Sequence, residues 1–261
     1  MTGAVVALVT RPEREAVRWT QALRERGVAA ESLPLIAIAA APPSPQLKAA
    51  RAGLAKFAAV MFVSANAVEG LLASAQGSVC VPWPQRTRAW ATGPGTGDAL
   101  LAAGVPPAQI DVPNAAAAQF DSETLWSQVS KQVGPGDEVL IVRGGDASGQ
   151  PTGRDWLARQ IEATGATPRA VTAYLRQPPA WDAAQRSRAM AAASDGSWWI
   201  FSSSEAVGHL VSLLPGQGWS KARAVCTHPR IERAAQDAGF GVVNTSRPVL
   251  DAVAGFLQSH T

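Results

Sequence analysis

Residues 62–72 read FVSANAVEGLL and residues 201–211 read FSSSEAVGHLV, an offset of 201 − 62 = 139 positions. Each stretch closes an apolar run with Phe-x-Ser, takes a short polar step, and enters Ala-Val and an apolar helical pattern. A short continuous apolar run reads as a strand buried on both faces, and Ser or Asn before a helical run reads as its start. The same grammar returns in TGPGTGDALLAAG (92–104) and THPRIERAAQDAG (227–239), where the offset is 227 − 92 = 135. A looser third pair is VVALVTRP (5–12), which leads through a helix to Gly27, and VLIVRGG (139–145), which leads through a helix to Gly165. Three elements in one cyclic order imply duplication of an α/β unit. Two copies are too few for a solenoid, so two similar domains follow.

Strands alternating with helices of roughly ten residues imply parallel sheets flanked by helices on both faces. The fold class is therefore α/β, two similar domains with parallel sheets. In such sheets ligands bind outside the carboxyl ends of the strands. Functional residues are expected at strand-to-helix turns, and those are the positions that repeat. Pro12, Glu13 and Glu15 suit a first helical turn, with Ala16, Thr20 and Leu23 on one face; residues 31–40 read as extended. PPSP (42–45) punctuates the chain as a linker.

With 261 residues, 47% hydrophobic and 16% charged, the chain can hold two ordinary domains rather than a disordered segment. A net charge of +3 without a basic cluster argues against nucleic acid and leaves room for an anionic ligand. The apolar run at the N-terminus is too short to span a bilayer and lacks a basic lead, so no membrane segment or signal peptide is expected. Cys80 and Cys226 have no metal or redox spacing; both read as buried free thiols, and the expected compartment is the reducing cytoplasm.

At the repeated turns Ser64, Asn66, Ser203 and Ser204 can cap helices, each worth about 1 kcal/mol. The same amides and hydroxyls can hold anions with the help of the helix dipole. TGPGTG is neither a Walker loop nor GxGxxG, so a nucleotide site is weak. His209 lies in a helix pattern, His228 in the THP turn and His260 at the chain's end, with no nucleophile or carboxylate pairing to any of them. An enzyme built this way would shape a substrate that is already reactive.

The ordered set TRP near the start, LPLIAI (33–38), FVSANAV, TGPGT, VLIVRGG followed by RDWL, AYLR (173–176), FSSSEAV and CTHPRI resembles the uroporphyrinogen-III synthase family, over residues 5–257. That resemblance implies a cyclising lyase without cofactor or metal. It would convert the linear tetrapyrrole hydroxymethylbilane to uroporphyrinogen III, with loss of water and inversion of ring D through a spirocyclic intermediate. It also implies a monomer with a two-stranded linker and a ligand cleft between two domains. The second domain is inserted in the first: residues 1–38 with 173–261, and residues 45–168, linked through 39–44 and 169–172. The repeats by themselves fit tandem halves equally well.

By the same resemblance Tyr174, the single tyrosine of the chain, is the candidate acid for the leaving hydroxyl. Arg11, Arg143, Arg154 and Arg176 are candidate carboxylate partners. Ser64, Asn66, Thr92, Gly93, Thr96 and Gly144 would contact substrate from one domain, and Ser202, Ser203, Thr227 and His228 from the other. DASGQPTG (146–153) is longer than the family's step before Arg154. The competing class is a non-catalytic two-lobed binder of a small anion.

Overall fold

Wholly apolar runs alternate with amphipathic ones along the chain, and strands alternate with helices accordingly. The computed structural model describes residues 6–72, 82–114, 120–146, 149–150 and 155–260. The chain divides into two compact units, Met1–Ala37 with Gln177–Thr261, and Ile38–Arg176. It opens with β1 (Ala7–Val9), α1 (Glu13–Glu25), β2 (Ala30–Ser32) and β3 (Ala37–Ala40). There follow α2 (Pro45–Ala52), β4 (Ala59–Phe62), α3 (Ala65–Leu72), β5 (Arg88–Ala91), α4 (Pro94–Ala102) and β6 (Ile110–Asp111). Next are α5 (Ser122–Val129), β7 (Glu138–Gly145), α6 (Trp156–Ala163) and β8 (Thr167–Gln177). The chain ends with α7 (Ala183–Ala191), β9 (Trp198–Phe201), α8 (Ser204–Leu213), β10 (Arg223–Cys226), α9 (Pro229–Asp237), β11 (Val242–Thr245) and α10 (Leu250–Gln258).

Among the described residues one sheet has the order β11-β10-β9-β1-β2 and the other β3-β8-β7-β4-β5-β6. Replacing β9 by β4, β10 by β5, β11 by β6, β1 by β7 and β2 by β8 converts the first order into the second, leaving β3 as an additional edge. The units share one topology cut at different points in the chain. FVSANAV and FSSSEAV occupy equivalent strand ends, as do TGPGT and THPRI. The pairings from β11 through β2 in the first row, and from β8 through β6 in the second, are parallel.

The strand residues alternate in direction and both directions are covered. In the second unit Val60, Phe62, Leu140 and Val142 pack with residues of α2, α3 and α4. Ala59, Met61, Val139 and Ile141 pack with Leu125 and Val129 of α5 and Leu157 and Ile161 of α6. Phe62 and Met61 are at most 1% exposed, and burying such a side chain is worth about 1.5–3 kcal/mol. In the first unit Ala7, Val9, Trp198 and Ile200 face α1 and α10. Trp199 and Phe201 point the other way, into Trp219 and Phe240.

Helix α1 follows its pattern: Pro12 precedes it, Glu13 and Glu15 occupy the first turn, and Ala16, Trp19, Thr20 and Leu23 are buried. Gly27 turns the chain at φ 78°, a conformation glycine adopts without penalty.

The extended reading of residues 31–40 holds at 31–32 and 37–40, which lie in β2 and β3, and is interrupted between them. The segment Leu33–Ile36 is buried, with a bend at Leu35. Leu33 and Leu35 amides donate to Val9 and Thr10 carbonyls. Trp181 Nε1 donates to the Pro34 carbonyl at 3.0 Å, and His209 Nδ1 to the Leu35 carbonyl at 2.7 Å. PPSP starts a helix as well as ending a segment: the Ser44 hydroxyl accepts from the Leu47 amide and Pro45 is the first residue of α2. Residues 169–172 are interior to β8 and paired along β7, so the chain returns to the first unit at Gln177.

Candidate active site

Parallel strands bring their carboxyl ends to one edge of a sheet. In the second unit the order β8-β7-β4-β5 therefore lines up Tyr174, then Arg143 and Gly144, then Ser64 and Asn66, then Thr92, Gly93 and Thr96. The Ser64 hydroxyl accepts from the Ala67 amide at 3.3 Å, and its carbonyl accepts from Ala67 and Val68, which makes Ser64 the cap of α3. Asn66 lies half-buried in the first turn. Thr92 Oγ1 donates to the Val63 carbonyl at 3.1 Å, tying the end of β5 to the start of α3. Gly93 caps α4 in extended conformation, where a Cβ would lie 3.2 Å from Phe120 Cβ, and Thr96 is buried in the first turn behind it.

Tyr174 is 3% exposed. A bulge at Arg143/Gly144 shifts the register of β7 on β8: Arg143 pairs with Thr172, whereas Gly144 pairs with Tyr174. The extra residue, Ala173, is left unpaired, and bulges of this kind re-aim the side chain that follows. The tyrosine ring crosses Gly144 so closely that a Cβ there would sit 2.9 Å from Cε2 and Cζ, and 3.0 Å from Arg176 Cδ. Its hydroxyl lies 3.0 Å from Ser64 Oγ. Arg143 Nη1 reaches Asp155 Oδ1 at 3.3 Å, while its buried Nε–H has no acceptor among the described residues.

The first unit presents the equivalent edge, in the order β1-β9-β10. Thr10 Oγ1 donates to the Ile200 carbonyl at 2.7 Å, joining the ends of β1 and β9. Arg11 follows, its guanidinium 4.0 Å above the Trp19 ring and its Nη1 3.0 Å from Glu15 Oε2. Burial pushes the Arg11 guanidinium down from its ordinary value and Glu15 opposes that shift; it remains a cation. Its Nε–H is buried without an acceptor among the described residues, as in Arg143. Ser202 and Ser203 are half-buried. Ser203 occupies the cap position of α8 without a side-chain cap bond, so the capping expected of Ser203 is corrected. Ser204, also expected to cap, instead donates through its exposed hydroxyl to the Arg230 carbonyl at 3.4 Å. Thr227 is buried and its amide donates to the Phe201 carbonyl, and His228 caps α9, its Nδ1 accepting from the Arg230 amide at 3.0 Å.

The candidates thus gather at two equivalent edges, one in each unit. Arg154 and Cys80 lie outside the described residues, as does most of the 146–153 loop. Sequence reasoning missed Asp155 as the partner of Arg143 and Trp19 as the platform under Arg11; the eight-residue step from Arg11 to a buried helix position was the available signal for the second. Among the described residues no cluster of three His, Cys, Asp or Glu side chains could hold a metal ion, and no helix is long and apolar enough to cross a membrane.

A family model described as uroporphyrinogen-III synthase HemD matches residues 17–254. The uroporphyrinogen-III synthetase of Helicobacter pylori is similar in structure with a TM-score of 0.60 at 14% identity, covering 98% of this chain and 100% of that one. A mutant uroporphyrinogen III synthase of the extremely thermophilic bacterium Thermus thermophilus gives 0.57 at 14% identity, covering 98% and 99%. At that identity the likeness to both is one of fold. No curated protein matches the chain.

Proposed function

The chain belongs to the uroporphyrinogen-III synthase family, and on that premise we propose that Tyr174 is its proton donor and that the two equivalent strand edges are its carboxylate contacts. The reaction is the cofactor-independent cyclisation of hydroxymethylbilane to uroporphyrinogen III, with loss of water and inversion of ring D. The pyrrole nitrogen lone pair expels the hydroxyl and leaves an azafulvene cation. Ring D is attacked at its substituted carbon, and the spirocyclic product fragments and recloses inverted. Left alone, the bilane closes without inversion to the type I isomer. The protein must therefore favour one folded arrangement of a flexible polyacid, which is a proximity effect.

The observation that carries the binding role is the repeated edge itself. Thr92 and Gly93 in one unit, and Ser202, Thr227 and His228 in the other, stand where parallel strands feed helices. There, amides and the helix dipole favour anions without a cluster of lysines. The Nε–H groups of Arg11 and Arg143, which no atom of the described residues accepts, support the same reading, as does the place of Tyr174 beside Arg143 and Gly144. The acid role adds a proton at the hydroxyl as it leaves. We place the enzyme in the cytoplasm as a monomer that binds neither nucleic acid nor membrane, in keeping with its modest charge; sedimentation at working concentration tests the monomer.

Incubating the pure protein with freshly made hydroxymethylbilane and separating the product isomers tests the whole reading. Type III product in excess over the unassisted type I background is expected. Type I product alone would reject it and return the chain to the class of anion binders.

A further inference from the structure

The buried Tyr174 hydroxyl meets one protein group among the bonds resolved around it, Ser64 Oγ at 3.0 Å. Ser64 Oγ already accepts from the Ala67 amide. Accepting leaves its own hydrogen unspent, and the first turn of α3 surrounds the oxygen with the positive end of a helix dipole. A hydroxyl so placed is a better donor than acceptor toward the phenol. On the opposite side Gly144 leaves room for the ring and nothing more, since a Cβ would come 2.9 Å from two ring carbons. The ring is held by its face at Gly144 and by its oxygen at Ser64.

The unit repeat sharpens the point. Position 203 is the counterpart of position 64 (64 + 139 = 203) and also carries serine at a helix cap. The chain has a single tyrosine, so Ser203 has no phenol to serve.

We infer that Ser64 is the positioning residue of the acid: its hydroxyl donates to the Tyr174 oxygen, aims the phenol hydrogen away from α3, and steadies the phenolate left after proton transfer. The inference rests on Tyr174 being the proton donor, and it replaces the role of Ser64 as a carboxylate contact. In the step concerned the phenol O–H bond breaks as the substrate's carbon–oxygen bond breaks. The hydroxyl departs as water carrying that proton, and the phenolate accepts the Ser64 hydrogen bond. A charge-assisted bond of this kind is about twice as strong as a neutral one, so Ser64 stabilises the charge-separated state more than the resting state. The proton that ring D releases on regaining aromaticity restores the phenol.

The test uses Ser64→Gly, because glycine is tolerated at helix caps and carries no hydroxyl, together with Ser64→Thr, which returns one. Ser64→Gly is expected to lower kcat for type III product roughly tenfold, a loss expected of one charge-assisted bond, with KM unchanged, and Ser64→Thr to recover most of it. On a Tyr174→Phe background Ser64→Gly should cost nothing further. The ultraviolet resonance Raman doublet of tyrosine, which reports whether a phenol accepts a hydrogen bond, comes from Tyr174 alone and should lose its accepting signature in Ser64→Gly. A rise in KM at constant kcat, or an undiminished loss on the Tyr174→Phe background, would make Ser64 a substrate contact and overturn the positioning role while sparing Tyr174. Wild-type turnover in Tyr174→Phe would overturn both.

Discussion

Gly70 of α3 and Ala173 of β8 meet without a side chain to separate them: a Cβ on Gly70 would lie 2.3 Å from the Ala173 carbonyl oxygen. Ala173 is the extra residue of the bulge that sends Tyr174 over Gly144, and Ser64 heads the same helix. The absent side chain at position 70 is what lets α3 approach closely enough for its cap to reach the phenol. Arg51 supports the arrangement from the other end, donating to the Leu71 and Gly70 carbonyls at 2.9 and 2.7 Å.

Gly70→Ala sets two effects against each other. Alanine gains up to about 1 kcal/mol over glycine in a helix, whereas forcing backbone against backbone costs about 1–3 kcal/mol. The neighbour here is a carbonyl with no flexible end to move, so the variant should be less stable and should lose type III activity with it. Gly208→Ala is the control, because a Cβ in α8 would meet nothing within 4 Å. It should gain about 0.5–1 kcal/mol. Urea midpoints of both variants check the opposite signs; a stabilised Gly70→Ala would mean α3 shifts freely on β8.

Tyr174→Phe removes the hydroxyl and keeps the ring on Gly144. Loss of one hydrogen bond to Ser64 should cost stability only about 1 kcal/mol, whereas loss of the acid should slow type III formation by about 10²–10⁴-fold. Type I product should rise, because unassisted closure of the bilane continues. Thermal unfolding and isomer separation on the same preparation distinguish the two quantities.

The difference in what each required explains how much could be read ahead. Both sheets were legible because their strands are short apolar runs repeated at offsets of 139 and 135 residues, and a buried parallel strand needs no other signal. Helix starts were legible from Pro12, Ser64 and the Thr-x-Pro turn at Thr227 because capping is local. The pairing of Ser64 with Tyr174 spans 110 residues and turns on a single bulge; without the slip at Arg143/Gly144, Ala173 would stand opposite Gly144 instead of Tyr174. No local pattern encodes that slip. The break between β2 and β3 at residues 33–36 was not legible for a related reason, since that segment is held by bonds to Val9, Thr10, Trp181 and His209 elsewhere in the chain.

Arg11→Lys separates folding from binding at the first unit's edge. The guanidinium stacks its plane on Trp19 while bonding Glu15, and the point charge of lysine cannot do both at once. Lost stacking should cost about 0.5–2 kcal/mol of stability, read by urea unfolding. As a carboxylate partner Arg11 should also hold substrate by its planar fork, which lysine does not reproduce. KM for hydroxymethylbilane should then rise several-fold at little change in kcat. A destabilised variant with wild-type KM would leave Arg11 a structural residue only.

Cys226 is fully buried on β10, and its thiol is pushed up to about 12, first by burial and then by the charge of Glu232. In the unfolded chain the same thiol ionises near pH 8.5, roughly its ordinary value. As pH rises past that value the unfolded state sheds the proton and the folded state keeps it, so the folded state loses stability progressively until about pH 12. At about pH 10 the loss reaches ~2 kcal/mol. Comparing Cys80→Ser with Cys80→Ser/Cys226→Ala isolates the thiol: the stability of the first should fall relative to the second as pH is raised from neutral to about 10. In the native Cys80→Ser protein at neutral pH, Cys226 should resist thiol reagents until urea exposes it, because a buried neutral thiol offers no thiolate. Rapid labelling under native conditions would show that β10 opens, and that this interior strand of the first unit's sheet is less secure than its burial implies.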